Sequence, residues 1–330
     1  METILTGDIG GTNASFALFH GGVFAENTLL KLPVAEHADL ADTIEYYLQH
    51  VAESNSSIDR IALSVASTAD YCDSMALTNN NVTFSVSGLV ERYALRQARV
   101  VNDFTAAALG VFSLQDENLQ VLQPGVENEL SPKALIGPGT GLGVSGLIHS
   151  GSHWIPLQSQ GGHMTMGALT KREFAIRELL SSKYGDVSAE RYVSGTGLVG
   201  VYEAICQLDG HEPCYAKADD ISAAAFNNGC ETCCEVMSLF CKNLGIVASD
   251  IALTLGAEGG IYITGGIVPK LGTNFNRTEF LSGFHSKGRF SDFAKSLPVW
   301  MISGGESALF GAFHSLQPHY DNYGYTVRAA

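Results

Sequence analysis

Gly7–Asn13 (GDIGGTN) and Gly137–Gly143 (GPGTGLG) decide how this chain is read. Each carries a threonine and sits between apolar, strand-like runs: Thr3–Thr6 and Ala14–Phe19 around the first, Ala134–Ile136 and Val144–Ile148 around the second. Strand, glycine turn, strand, repeated about 130 residues apart, describes two hairpins able to grip one polyanion from two sides. The usual nucleotide signatures differ, because there a single glycine loop opens directly into a helix. Glycines such as Gly10 and Gly11 let backbone N–H groups close on anionic oxygens. Thr12 and Asn13 in the first loop, and Thr140 and Gly141 in the second, are placed to add donors. Asp8 precedes the first turn, where a carboxylate repels phosphates unless it holds Mg²⁺, directly or through water. Either loop alone also reads as an ordinary β-turn. The pair is what points to a nucleotide.

The bulk numbers set outer limits. With 330 residues the chain can form two lobes with proper cores. Hydrophobic content of 45% with 16% charged residues describes a well-packed globular protein, not a disordered one. A net charge of −15 argues against general nucleic-acid binding, which needs clustered Lys and Arg. It leaves room for a nucleotide whose charge is met by backbone amides and a divalent cation. Met1–Gly7 has no basic or apolar leader region, and no run reaches the roughly 18 apolar residues of a membrane span, so a cytoplasmic location is expected. Cys230, Cys233 and Cys234 form C-x-x-C-C without the second close pair that zinc requires, and reduced thiols are expected. The spacing of Cys234 and Cys241 suits apolar packing in a helix.

Along the chain, residues 3–32 read as a strand meander turning at Gly21-Gly22, and Asp39–Ala52 has helical periodicity. Arg60–Val65 is a short strand ending at Ala66-Ser67-Thr68, and Asn79–Asn81 marks a polar loop. Ser87–Tyr93 reads as a helix with a serine cap, Arg99–Val101 as a strand, and Phe104–Phe112 as a helix. Asp116–Lys133 is polar, contains Pro124 and Pro132, and resembles a connecting excursion. Lys171–Ser182 is amphipathic, Ser188–Arg191 looks like a helix start, and Ser194–Gly197 reads as a glycine turn. Thr232–Leu255 is a long helical stretch, with an interruption allowed at Gly245. Gly260–Gly266 is a buried strand ending in a glycine pair, and Ser303-Gly304-Gly305-Glu306 repeats that strand-to-helix pattern before Ser307–Ser315. The alternation favours mixed α/β lobes, and the two hairpins suggest a weak internal duplication.

No G-x-x-x-x-G-K-[ST] segment is present, so no Walker lysine serves a phosphate. A G-x-G-x-x-G match at Gly141, Gly143 and Gly146 runs into the turn His149-Ser150-Gly151 instead of opening a helix, which argues against a dinucleotide fold. Asn102-Asp103 lies between strand and helix. An Asp there is often a first-turn acid or N-cap; the functional reading is a general base that takes a hydroxyl proton during phosphoryl transfer. Gln160-Gly161-Gly162-His163 offers an amide, a tight backbone and an imidazole, and Glu190 reads either as a helix-start acid or as a ligand.

Read together, GDIGGTN, VVNDFTA, GPGTGLG, QGGH, SAER, SGTGL and GGIVPK resemble the bacterial ATP-dependent glucokinases of the actin-like sugar kinase superfamily. The motifs follow the family's order from residue 7 to 270. The resemblance implies a two-lobed, actin-like (ribonuclease H-like) α/β ATPase fold with an interlobe cleft. Residues 1–112, completed by 303–330, would form the small domain and 113–302 the large one. It implies phosphorylation of D-glucose at its 6-hydroxyl by ATP with Mg²⁺, and a homodimer. Asp8, Gly10, Gly11, Thr12 and Asn13 would form the first phosphate loop, with Asp8 near the metal; Thr140 and Gly141 belong to the second. Gly265 and Gly266 would border the adenosine. Asn102, Asp103, His163 and Glu190 would bind the sugar, with Asp103 as the base. One departure stands out: Gln160 occupies a position where the family usually has glutamate. Glutamine lacks the charge and donates as well as accepts, so a kinase for another hexose is the alternative. A non-catalytic sugar sensor on the same fold is a further one, although Thr3 already begins the first strand and leaves no room for the added DNA-binding helices such sensors carry.

Overall fold

The computed structural model describes residues 1–34, 39–51, 57–66, 72–76, 83–227, 229–304 and 306–329. Ser67-Thr68, Asn79–Asn81 and Gly305, singled out in the sequence, lie outside the described residues. The chain divides into two compact units. The first comprises Met1–Gln115, Ser150–Gln158 and Gly304–Ala330, and the second comprises Asp116–His149 and Ser159–Ser303. The boundary expected at 112 thus falls at Gln115, and Ser150–Gln158 groups with the first unit instead of the middle of the chain.

The first unit opens with the meander β1 (Thr3–Ile9), β2 (Asn13–His20) and β3 (Val23–Pro33). Gly21 and Gly22 both take positive φ (58° and 86°), as a two-residue hairpin of this twist requires. Helix α1 (Leu40–Val51), β4 (Arg60–Val65) and the small ladder of β5 (Ser74–Ala76) with β6 (Thr83–Ser85) follow. Next come α2 (Val86–Tyr93), β7 (Gln97–Asn102) and α3 (Asp103–Gly110). Ser85, not Ser87, caps α2: its hydroxyl accepts the Gly88 N–H, while Ser87 sits in the first turn and donates to Asp73.

In the second unit the strands are β8 (Leu119–Gln123), β9 (Lys133–Pro138), β10 (Leu142–His149), then, after β11 (Trp154–Gln158) of the first unit, β12 (Ile261–Ile263) and β13 (Val299–Ile302). Its helices are α4 (Lys171–Tyr184), α5 (Gly195–Asp209), α6 (Ala218–Asn227), α7 (Glu231–Leu255), α8 (Ile267–Leu271), α9 (Arg277–His285) and α10 (Ser291–Ser296). The chain returns to the first unit with α11 (Ser307–Ser315) and β14 (Tyr325–Arg328).

Both sheets share one plan. In the first unit the order is β14-β7-β4-β1-β2-β3, with β1, β4 and β7 parallel, β2 and β3 antiparallel on one side and β14 antiparallel on the other. In the second, β10-β9-β12-β13-β8 has β9, β12 and β13 parallel between antiparallel β10 and β8. The duplication suggested by the hairpins therefore extends to whole sheets. β1 and β9, central in each, are almost wholly buried.

Further sequence expectations are corrected. The polar excursion 116–133 contains β8, a short edge strand whose adjacent exposed Gln120 and Val121 break the usual in–out alternation. Ser194–Gly197 is not a turn but the start of α5, with Ser194 Oγ capping the Gly197 N–H at 2.9 Å; glycines at its first and third positions hide the helix. α7 is continuous through Gly245, where a Cβ would come within 2.0 Å of Phe280 O on α9, so the glycine serves a helix crossing. α7 is long and apolar enough to cross a membrane by composition, yet Val236, Phe240, Leu244 and Val247 on it are core residues of the second unit. Cys233 and Cys241 are buried in that core. Cys234 is exposed, against the packing role expected for it, and its thiol donates to Ala225 O at 3.4 Å.

In the first unit α3 and α11 cross in direct backbone contact. A Cβ on Gly110 would lie 1.8 Å from Ser307 O, and one on Gly311 1.6 Å from Ala106 O. The C-terminal helix thereby fixes the helix that begins at Asp103.

Candidate active site

Three parallel strands of the first unit end together: Ile9, Val65 and Asn102 share one register row, and Asp8, Ser64 and Val101 the row before it. Open α/β sheets place ligands at the carboxyl ends of such strands. Asp8 Oδ1 accepts a hydrogen bond from Ser64 Oγ at 3.0 Å and no other among the described residues. Burial pushes the Asp8 carboxyl up, opposed by the Ser64 hydrogen bond and the Lys31 charge. Beside it the first glycine loop closes through Gly10 N–H to Asn13 O at 3.0 Å, with Gly11 and the exposed Thr12 between.

Asn102 Oδ1 accepts the N–H groups of Phe104 (3.0 Å) and Thr105 (3.1 Å), which makes Asn102 the N-cap of α3. Its Nδ2 donates to Asp103 Oδ1 at 2.9 Å, and the Phe104 N–H also reaches that oxygen at 2.9 Å. The capping alternative therefore belongs to Asn102. Asp103 keeps Oδ2 without a hydrogen bond among the described residues. Burial first, and the Asp8 charge second, raise the Asp103 carboxyl to about 6, against the lowering effect of the N–H donors and Asn102. A carboxyl tuned to that range suits proton abstraction near neutral pH.

The second unit gathers Thr140, Gly141, Gln160, His163, Glu190, Gly265 and Gly266 at the corresponding end of its sheet. The loop Gly139–Gly141 joins β9 to β10, and its carbonyls are tied down: Gly139 N–H donates to Gly141 O (2.8 Å), Gly195 N–H to Gly139 O (2.8 Å) and Thr196 Oγ1 to Thr140 O (3.4 Å). The amides of Thr140 and Gly141 have no acceptor among the described residues, an arrangement suited to an anion. Glu190 Oε2 accepts the Leu142 N–H at 2.9 Å. Gln160–His163 forms a short 3-10 turn packed on β10, where a Cβ on Gly162 would lie 2.0 Å from Leu142 O. Ala189 N–H donates to Met164 O at 2.7 Å, which sets the His163 turn beside the Glu190 turn. Gln160 and His163 are exposed.

Gly265 backs onto the same loop, since a Cβ there would be 2.4 Å from Pro138 O. A cavity of about 640 Å³ opens beside Gly139, Thr140, Gly195, Gly266, Asp219 and Lys270, within the size range of small-ligand pockets. A shallower groove of about 460 Å³ between α2 and β14 holds none of the candidate residues. Sequence reasoning missed Ser64, although it is the one polar residue in the apolar stretch of β4. It also missed Ser194 and Thr196 as parts of a helix start, and the cavity residues Asp219 and Lys270.

Two duplicated α/β sheets with glycine hairpins at the carboxyl ends of their parallel strands, and an acid–asparagine pair at one of them, follow the plan of the actin-like ATPase fold. The Glucokinase family model matches residues 5–319. A glucokinase of Aromatoleum aromaticum is 42% identical over 312 residues, covering 94% of each chain. The crystal structure of a glucokinase from an Antarctic psychrotroph superposes with a TM-score of 0.83 at 31% identity, covering 96% of this chain and 99% of that one. A Streptomyces griseus ROK family glucokinase, solved with glucose and AMPPNP, shares the fold with a TM-score of 0.60 at 18% identity, covering 94% and 97%. The chain belongs to the glucokinase family, whose members are kinases.

Proposed function

We propose that the chain transfers the γ-phosphoryl group of ATP to the 6-hydroxyl of D-glucose, with Asp103 as general base. The observation that carries the base assignment is the Asp103 carboxyl, held at the start of α3 by Asn102 and raised to about 6. Asp103 accepts the hydroxyl proton as the sugar oxygen bonds to phosphorus and the bond to the β,γ-bridging oxygen breaks, releasing ADP. Phosphoryl transfer of this kind depends on positioning and charge stabilisation more than on covalent chemistry. Asn102, His163, Glu190 and Gln160 bind the sugar. Asp8, Gly10, Gly11, Thr12 and Asn13 form one phosphate loop and Thr140 and Gly141 the other, with Gly265 and Gly266 bordering the adenosine beside the cavity.

Asp8 fits a divalent cation: its carboxylate has one hydrogen bond among the described residues and lies within electrostatic reach of Asp103. Mg²⁺ held there, directly or through water, would neutralise phosphate charge. The family resemblance extends the proposal to a cytoplasmic, glycolytic homodimer, and light scattering on the purified protein tests the dimer.

The deciding experiment is a coupled assay of ATP-dependent phosphorylation over a panel of hexoses. Glucose 6-phosphate formation that Asp103→Ala abolishes while ATP binding persists is the expected result. Retained turnover in Asp103→Ala removes the base assignment, and phosphorylation of no hexose removes the function. Gln160 favours one second reading, a preference for a hexose other than glucose, which the same panel decides.

A further inference from the structure

We infer that Glu190 is also a positioning residue for the second phosphate loop and so couples sugar binding to nucleotide binding; this rests on the proposed kinase reading. Its carboxylate does not stand free beside the sugar-binding turn. Oε2 takes the N–H of Leu142, the first residue after the glycine loop, at 2.9 Å. Gly141 is shaped around that contact, since a Cβ there would fall 2.5 Å from the same oxygen. The main chain of Glu190 is fixed to α5 as well: Ser194 Oγ donates to Glu190 O at 2.7 Å, and a Cβ on Gly197 would lie 2.6 Å from that carbonyl. The start of α5 in turn holds the loop carbonyls of Gly139 and Thr140.

One acidic residue thus ties the loop at its exit, through its side chain, and shares with the loop the helix start that fixes its carbonyls. With those carbonyls and the Leu142 N–H committed, the Thr140 and Gly141 amides are left for the nucleotide. A sugar hydroxyl that donates to Glu190 holds the carboxylate in one rotamer. The same rotamer presents Oε2 to Leu142, so acceptor occupancy lowers the cost of ordering the donor loop. Linkage makes the effect reciprocal.

The test is calorimetric titration of AMPPNP into the intact protein, with and without saturating glucose. Glucose should tighten AMPPNP binding to the unaltered protein. Glu190→Ala should weaken AMPPNP about tenfold in the absence of any sugar, as loss of one charge-assisted hydrogen bond implies, and should abolish the glucose effect. Glu190→Gln keeps an acceptor for Leu142, so its sugar-free AMPPNP affinity should stay within about twofold while glucose binding weakens. Gly141→Ala, which displaces the carboxylate with Glu190 still present, should reproduce the nucleotide loss and serves where Glu190→Ala does not fold. Unchanged sugar-free AMPPNP affinity in either Glu190→Ala or Gly141→Ala overturns the inference. Failure of glucose to bind the unaltered protein sinks the kinase reading instead, while the sugar-free arm still reports on the loop.

Discussion

The Asp103 carboxyl follows β7 two register rows beyond Asp8, which lies on the next parallel strand but one, and burial first, then the negative charge of Asp8, raise it to about 6. A base must be ionised to work, so kcat/KM for the sugar should fall as pH drops through about 6. The stability consequence has the opposite sense. Folding raises this carboxyl from its model-peptide range near 4, so the folded state binds the extra proton between those limits. The ionised form therefore costs stability above about pH 6, and the cost vanishes below about pH 4. Asp103→Asn keeps an acceptor for Phe104 and should unfold at a higher temperature than the parent at pH 8, by the equivalent of about 1–2 kcal/mol after allowance for partial solvent access. The gap should close at pH 4. Calorimetric melts at both pH values check this, and an equal gap at both would contradict it.

Asn102 acts on Asp103 in the other direction, because its Nδ2 donates to Oδ1 and favours the ionised form. Asn102→Ala should move the acid limb of the rate profile to higher pH. It also removes the cap from α3, at a cost of about 1 kcal/mol in stability. Rate profiles and denaturant melts of the variant separate the two effects. An unmoved acid limb would show that the Asn102–Asp103 bond does not tune the base.

The α3–α11 crossing offers a remote handle on the same carboxyl. Gly311→Ala puts a methyl group 1.6 Å from Ala106 O, and backbone cannot yield as a flexible side chain does. The expected loss is about 3 kcal/mol or more. Because α3 starts at Asp103, variant protein that remains folded at low temperature should lose kcat more than KM for the sugar rises. Urea melts and steady-state kinetics test both parts, and a stability within about 0.5 kcal/mol of the parent would refute the packing argument.

Local patterns carried much of this into the sequence. The two hairpins, Gly21-Gly22, α1 and α7 announce themselves within short windows, because glycine turns and apolar periodicity are local properties. A cap at the start of α3 was legible as well, but the sequence offered it to Asp103 and the structure gives it to Asn102. What stayed hidden depends on residues far apart in the chain. Ser64 meets Asp8 only through strand register, 56 positions away, and Glu190 meets Leu142 across 48. α5 was concealed for a different reason: Gly195 and Gly197 mimic a turn, and at Gly197 a Cβ would lie 2.6 Å from the Glu190 carbonyl oxygen. β8 is a short edge strand in which exposed Gln120 and Val121 are followed by buried Leu122 and Gln123, so it lacks the in–out alternation that signals a strand.

On the proposed kinase reading, acceptor choice turns on Gln160. It is exposed at the head of the 3-10 turn that ends at His163, and its side chain does not cap that turn. Its amide makes no hydrogen bond among the described residues, and substitution should leave stability within about 0.5 kcal/mol. Glutamate at this position restores a charged acceptor and removes a donor, which favours a sugar presenting a hydroxyl proton there. Gln160→Glu should lower KM for glucose by roughly tenfold relative to an epimer altered at the contacted hydroxyl, the equivalent of one charged hydrogen bond. kcat should change little, because Asp103 and both phosphate loops are untouched. Paired KM measurements on glucose, mannose and galactose decide the matter. An unchanged preference across the three would make glutamine a neutral replacement, and would leave sugar selection to His163, Glu190 and Asn102.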